Sequence, residues 1–169
     1  MKRRSRPILL GAFGLAAALA VTALVETPAH LAFNRTPSVP VGFYWLTDPG
    51  SLDRDMLVLA HLPPATERLA DRRRYLPAGV PVLKRVAAEA GATVCRDGAE
   101  VSIDGQSAAR ALDRDRLGRA LPVWEGCRSL ADGQTFLLSG SDPAAFDGRY
   151  FGPTSTRLIL AEARPLWTW

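Results

Sequence analysis

Two side chains in this sequence have the types needed for acyl transfer: Ser38, in Asn34-Arg35-Thr36-Pro37-Ser38-Val39-Pro40-Val41-Gly42-Phe43-Tyr44, and Lys84, in Pro81-Val82-Leu83-Lys84-Arg85-Val86-Ala87. A serine hydroxyl attacks a carbonyl when a neighbouring base takes its proton, and lysine becomes such a base once its ammonium is desolvated. Arginine cannot replace it, because a guanidinium keeps its proton inside a protein. Of 21 basic residues only Lys2 and Lys84 are lysine. An arginine-biased composition alone would produce that scarcity, so the setting of each residue has to carry the argument.

Ser38 sits between Pro37 and Pro40, where the backbone has little freedom and a hydroxyl can be presented on a stiff turn. A serine beside proline is, by itself, most often a plain loop residue. Strand alternation puts Val82, Lys84 and Val86 on one face, and Leu83, Arg85 and Ala87 on the other. Sharing a face with two valines desolvates an amine and lowers its pKa toward that of a general base. The plain alternative is a lysine whose stem covers apolar surface while its amine reaches water.

The elements that must hold this pair follow from charge and turn signals. At 169 residues there is room for one domain with a core. Lys2, Arg3, Arg4 and Arg6 supply the whole net charge of +4, leaving 17 basic residues against 17 acidic ones. A neutral body argues against nucleic acid as a partner, which would require the positive excess on the folded domain. Residues 1–6 read as a basic cytoplasmic segment. The uncharged run 7–25, nineteen residues, is long enough to cross a bilayer with its cationic end inside. It is expected to be an uncleaved signal anchor; a cleaved signal peptide is the competing reading, favoured by shorter apolar runs. Residues 26–169 would then form a periplasmic domain on a single-pass inner-membrane protein, with membrane lipid beside it.

On that side of the membrane Cys95 and Cys127 are expected to form a disulfide, the other reading being two buried thiols. A bond would close a loop of about thirty residues and contribute roughly 3 to 4 kcal/mol. With only His30 and His61 to add, the cysteines make no recognisable metal site, and no metal or other cofactor is expected.

Residues 26–41, with Pro28, Pro37 and Pro40, read as an extended linker. Strand-type runs follow at 42–47, 56–61, 80–87, 92–96, 100–103, 135–139 and 158–163, separated by turn signals such as Asp97-Gly98, Asp104-Gly105 and Asp132-Gly133. Asp97-Gly98 marks a hairpin. Residues 65–75 and 107–119 read as helical or irregular, and Arg72-Arg73-Arg74 as a solvated charged face. The sum is a mainly β domain, a small barrel or sandwich.

Taken in order, Ser38-Val39-Pro40 with Gly42 and Tyr44, Asp55 to Leu59, Lys84-Arg85-Val86, and Ser139-Gly140-Ser141-Asp142 leading to Asp147-Gly148-Arg149 resemble the ordered boxes of type I signal peptidases, serine peptidase family S26. The Asn-x-Thr-x-Ser-x-Pro-x-Gly pattern is most similar to the conjugative-transfer TraF-type branch. The resemblance implies a signal-peptidase-like catalytic β domain in which Ser38 is the nucleophile and neutral Lys84 the base. It implies that the Ser38 amide and the Thr36 hydroxyl hold the oxyanion, and that Asp147 and Arg149 order the loop around the lysine. The substrate would be an exported precursor polypeptide, such as a conjugative pilin, that is cleaved or cyclised.

Two positions depart from the family pattern. Val39 stands where methionine is frequent, and Ala145 where a serine often bonds the lysine. Another hydroxyl, for which Ser141 is a candidate, or a larger share for Asp147 would then orient Lys84. A Ser-His-Asp centre lacks support, since neither His30 nor His61 lies in a fitting motif. A membrane-anchored β scaffold without chemistry accounts for the anchor, strands and cysteines. It gives no reason for the settings of Ser38 and Lys84.

Overall fold

In the computed structural model, residues 30–140 and 142–169 are described; the expected anchor at 7–25, the basic segment before it, Pro28 and Ser141 lie outside them. Among the described residues no helix is long and apolar enough to cross a membrane.

The chain forms β1 (Leu31–Asn34), β2 (Gly42–Thr47), β3 (Leu57–Ala60), helix α1 (Pro64–Arg72), β4 (Val82–Ala88), β5 (Thr93–Asp97), β6 (Glu100–Ile103) and β7 (Gln106–Arg110). It continues through β8 (Gly126–Ser129), β9 (Gln134–Leu138), the one-turn helix α2 (Gly148–Phe151), β10 (Thr154–Ser155) and the long β11 (Ile159–Thr168). The fold is mainly β, in two antiparallel sheets. The larger runs β1-β2-β11-β3-β4-β9-β10 and the smaller β7-β6-β5-β8.

The expectation for 26–41 is corrected in its middle. Residues 31–34 are a strand, paired to β2 from Leu31↔Trp45 to Asn34↔Gly42. Pro37 and Pro40 fall in the loop that joins the two strands, where no ladder hydrogen bond needs their missing N–H. Residues 107–119 are also corrected, because their first part continues β7. Asp104 and Gly105 form a two-residue hairpin loop with both φ angles positive, +51° and +77°, the geometry whose twist matches the strands. The remainder of that segment is irregular. Strand β8 carries no alternation, all four residues being exposed, and only its pairing with β5 defines it. β11 runs past its expected end through a bulge between Pro165 and Trp167. Gly42 is required where β2 meets β11: at φ +144°, a Cβ would lie 2.1 Å from the Trp167 carbonyl oxygen.

Three apolar clusters hold the sheets. Tyr44, Leu46, Leu57 and Leu83 pack with Val39 behind the β1–β2 loop. Val58, Val86, Leu137 and Ile159 form a second cluster. Phe136, Leu138, Val94, Val101, Ile103 and Trp124 join strands of the larger sheet to those of the smaller. Helix α1 starts at Pro64, where a fixed φ suits the first turn.

Candidate active site

Ser38 lies in the loop between β1 and β2, and Asn34 at the end of β1 organises that loop. The Asn34 side-chain nitrogen lies 2.7, 2.9 and 3.0 Å from the carbonyl oxygens of Thr36, Val39 and Pro40. Its Oδ1 accepts from the Thr36 amide at 3.2 Å and the Thr36 hydroxyl at 3.1 Å. The Tyr44 hydroxyl donates to the Pro40 carbonyl at 2.6 Å. Burial of Val39 against the cluster around Tyr44 completes the clamp. With its single proton directed to Asn34, the Thr36 oxygen is free to accept, and it lies 3.1 Å from Ser38 Oγ.

Lys84 is in the middle of the larger sheet. It pairs directly with Val58 on β3, so the two side chains share a face with Val86 and with Leu137 across on β9. The side chain is almost entirely removed from water, the residue being 4% exposed. Burial lowers its pKa from the ordinary 10.5 to about 8. Asp147 and Asp142 act against that shift and the Arg149 charge adds to it.

The hydroxyl that meets this amine is that of Ser139, just past the end of β9: Lys84 Nζ donates to Ser139 Oγ at 2.6 Å. Of the two routes expected from sequence, this contact follows the first, another hydroxyl: that hydroxyl is Ser139, while Ser141, the candidate named for it, lies outside the described residues. Asp147 acts one step back. It is fully buried, and its carboxylate accepts from the Ser139 amide at 2.8 Å, the Arg149 amide at 3.1 Å and the Arg149 guanidinium at 2.8 and 2.9 Å. Arg149 reaches on to the carbonyl oxygens of Asp142 at 2.9 Å and Pro143 at 3.3 Å.

Ser38 and Lys84 therefore converge on one short stretch. The Gly140 amide donates to the Ser38 carbonyl at 3.1 Å, and the preceding residue, Ser139, accepts the Lys84 hydrogen bond. Among the described residues no hydrogen bond joins Lys84 Nζ to Ser38 Oγ directly. Active-site contacts often close only when substrate is bound. Beside them β4 has an open edge: β9 pairs with it from Arg85 onward, while 82–84 pair with β3 alone. Cys95 and Cys127 are disulfide-bonded, directly opposite one another in the β5–β8 ladder of the smaller sheet.

A stiff serine turn and a buried amine thus reach neighbouring residues, Gly140 and Ser139, on an antiparallel β scaffold. Residues 4–169 match the family described as signal peptidase, peptidase S26, and the chain belongs to it. It is similar to a plasmid transfer protein TraF of Escherichia coli, 31% identical over 100% of both chains. It is likewise similar to a probable conjugal transfer protein TraF of Sinorhizobium fredii (strain NBRC 101917 / NGR234), 32% identical over 99% of this chain and 93% of that one. Among solved structures, a signal peptidase I from Enterococcus faecalis V583 is 17% identical, covers 66% of this chain and 96% of that one, and gives a TM-score of 0.39.

Proposed function

We propose that this protein is a membrane-anchored serine endopeptidase of the signal peptidase type, with Ser38 as nucleophile and Lys84 as general base. The observation that carries the reading is the convergence on Ser139 and Gly140 of a rigid serine turn and a lysine whose amine is buried against Val58 and Val86. Neutral Lys84 takes the Ser38 proton as Oγ adds to the scissile carbonyl. The same proton then passes to the leaving amine, and the acyl group stays on Ser38. The Ser38 amide and the Thr36 hydroxyl, turning its proton away from Asn34, hold the oxyanion, each worth about 3 to 4 kcal/mol.

The substrate class is an exported precursor cleaved next to the bilayer, and similarity to conjugal transfer proteins favours a pilin precursor of a conjugation apparatus, in a type IV secretion setting. The anchor at 7–25 would hold the domain on the periplasmic side of the inner membrane. Exposed Trp167 and Trp169, 70% and 67% accessible, lie with Phe33 and Trp45 on the β1, β2 and β11 end of the larger sheet. Aromatic side chains in such a position suit the headgroup region. Water resolves the acyl-enzyme to a linear product, and the amine of the same substrate resolves it to a ring. Mass spectrometry separates these, since the ring is lighter by one water.

The test is the processing of precursor by full-length protein and by Ser38→Ala and Lys84→Arg. Both variants are expected to fold and to lose turnover by at least about a thousandfold, the order expected when a catalytic group is removed. Normal processing by Ser38→Ala would overturn Ser38 as the nucleophile, and no processing by the unaltered protein would leave a binding or scaffold role instead.

A further inference from the structure

A groove of about 380 Å³ opens between the larger sheet and the β6–β7 hairpin, lined by Arg54, Asp55, Arg85, Ser139, Gly140 and residues 106–108 among others. Its size is that of a binding cleft for a small group or short peptide segment. Three features give it a chemical preference and a place in the reaction, and the third rests on the proposed peptidase reading.

The first is charge. Arg54 and Arg85 both border the groove, and among the described residues neither guanidinium has a carboxylate within ion-pairing distance. Among the described residues the Arg85 guanidinium donates one N–H, to the Asp55 carbonyl at 2.5 Å, which leaves most of its donors unspent there. Asp55 is the one acidic residue in the lining, so the positive charge exceeds the negative. The carboxylates nearest the lining are engaged elsewhere: Glu89 accepts from the Arg54 amide at 3.0 Å, Asp104 in the hairpin turn accepts from the Thr93 amide at 2.8 Å, and Glu100 is engaged by Ser107 and Arg110.

The second is the backbone. Strand β7 is the outermost strand of the smaller sheet, and residues 106–108 on it line the groove. An edge strand leaves N–H and C=O groups free to bond an extended chain.

The third is position. Ser139 both lines the groove and accepts the Lys84 hydrogen bond. The leaving amine must be reached by the Lys84 proton, so the leaving half of the substrate starts beside Ser139. A substrate chain lying along the open edge at 82–84 would meet Ser139 and Gly140 just past the end of β9, and the groove opens there on the Arg85 face.

We propose that this groove receives the leaving-side segment of the substrate and selects a carboxylate in it through Arg54 and Arg85. An anion held by two guanidiniums gains charge-assisted hydrogen bonds that an amide of the same shape does not.

The test uses full-length protein in detergent and internally quenched peptides with alanine on the acyl side and either Glu or Gln at each of the first positions after the scissile bond. For one such position the Glu peptide is expected to exceed the Gln peptide in kcat/KM by about ten- to a hundredfold. That ratio should fall to about one in Arg54→Gln/Arg85→Gln and persist in Arg54→Lys/Arg85→Lys. A second arm needs no turnover: a short Glu-containing peptide with a free amino terminus is titrated into Ser38→Ala and its Gln counterpart compared. Equal binding of the two peptides, or Glu preference that survives Arg54→Gln/Arg85→Gln, overturns the groove assignment. If wild-type protein cuts nothing while the Glu peptide still binds through the arginines, the groove stands and the peptidase reading falls.

Discussion

Lys84 Nζ and Ser139 Oγ are 2.6 Å apart inside the larger sheet, while the carboxylate of Asp147 fixes the Ser139 backbone at 2.8 Å. The amine is thus oriented by a hydroxyl whose own position is set by a buried ion pair. Removing the hydroxyl in Ser139→Ala takes away the acceptor that favours the charged amine. The expected result is a kcat lower by about ten- to a hundredfold, by analogy with other residues that orient a catalytic group. The acidic limb of the kcat/KM profile should also move to lower pH. A variant that only loosened the fold would lower the rate and leave that limb in place.

The pH dependence of the wild-type protein follows from the amine at about 8. Below that value the neutral fraction falls about tenfold per unit, so kcat/KM should rise with pH up to about 8 and then level off. Stability has the same sign. The folded chain releases this proton near 8, whereas the unfolded chain holds it to about 10.5, so between those values the unfolded state binds more protons and stability rises with pH. Below about 8 the full penalty, on the order of 3 kcal/mol, is present. Lys84→Met should remove this slope, seen as the difference between the two denaturation curves, and abolish turnover.

Much of this architecture is legible in the chain because local signals and tertiary pairing agree. The runs at 42–47, 92–96 and 100–103 carry apolar alternation bounded by glycine turns, and all three are strands. The stretch 31–34 looks like linker because Pro28, Pro37 and Pro40 bracket it, and the partner that makes it a strand lies beyond two of those prolines. β8 has no pattern of its own, since Cys127 opposite Cys95 and not periodicity fixes its register. Within the site, the face shared by Val82, Lys84 and Val86 can be read from alternation. The Ser139 contact cannot, because it depends on β9 pairing with β4 only from Arg85 onward. Asn34 stands in the serine motif, yet its role comes from the loop's return, which brings three carbonyls to one amide.

The Asp147 and Arg149 pair is buried on both sides, at 0% and 4% side-chain exposure. Breaking one partner of such a pair leaves an uncompensated charge, which costs about 3 to 5 kcal/mol, whereas replacing both can cost much less. Asp147→Asn should therefore lower the denaturation midpoint more than Asp147→Asn/Arg149→Met. Effects of Asp147→Asn and Arg149→Met that simply add in the double variant would show that the pair is not coupled. Because Asp147 also supports the charged form of Lys84, Asp147→Asn should shift the acidic limb of the rate profile downward in pH.

The disulfide joins Cys95 to Cys127 across 32 positions of sequence, and the segment it closes includes the β5–β6–β7 hairpins and the irregular chain before β8. Its stabilisation arises mainly by restricting the unfolded chain, for a loop of this length by about 3 to 4 kcal/mol. All four residues of β8 are exposed, so little apolar burial would hold that edge if the bond were cut. Nearby, Trp124 packs edge-on against Phe136 and donates to the Gly148 carbonyl at 3.1 Å, next to Arg149. Cys95→Ser/Cys127→Ser should accordingly lose about that much stability in urea denaturation. Turnover measured well below the lowered midpoint should be unchanged, because the bond lies in the smaller sheet and Ser38, Lys84 and Ser139 belong to the larger. Loss of turnover at low temperature with β structure retained would show that the β5–β8 pairing reaches the site through Trp124 and the α2 turn.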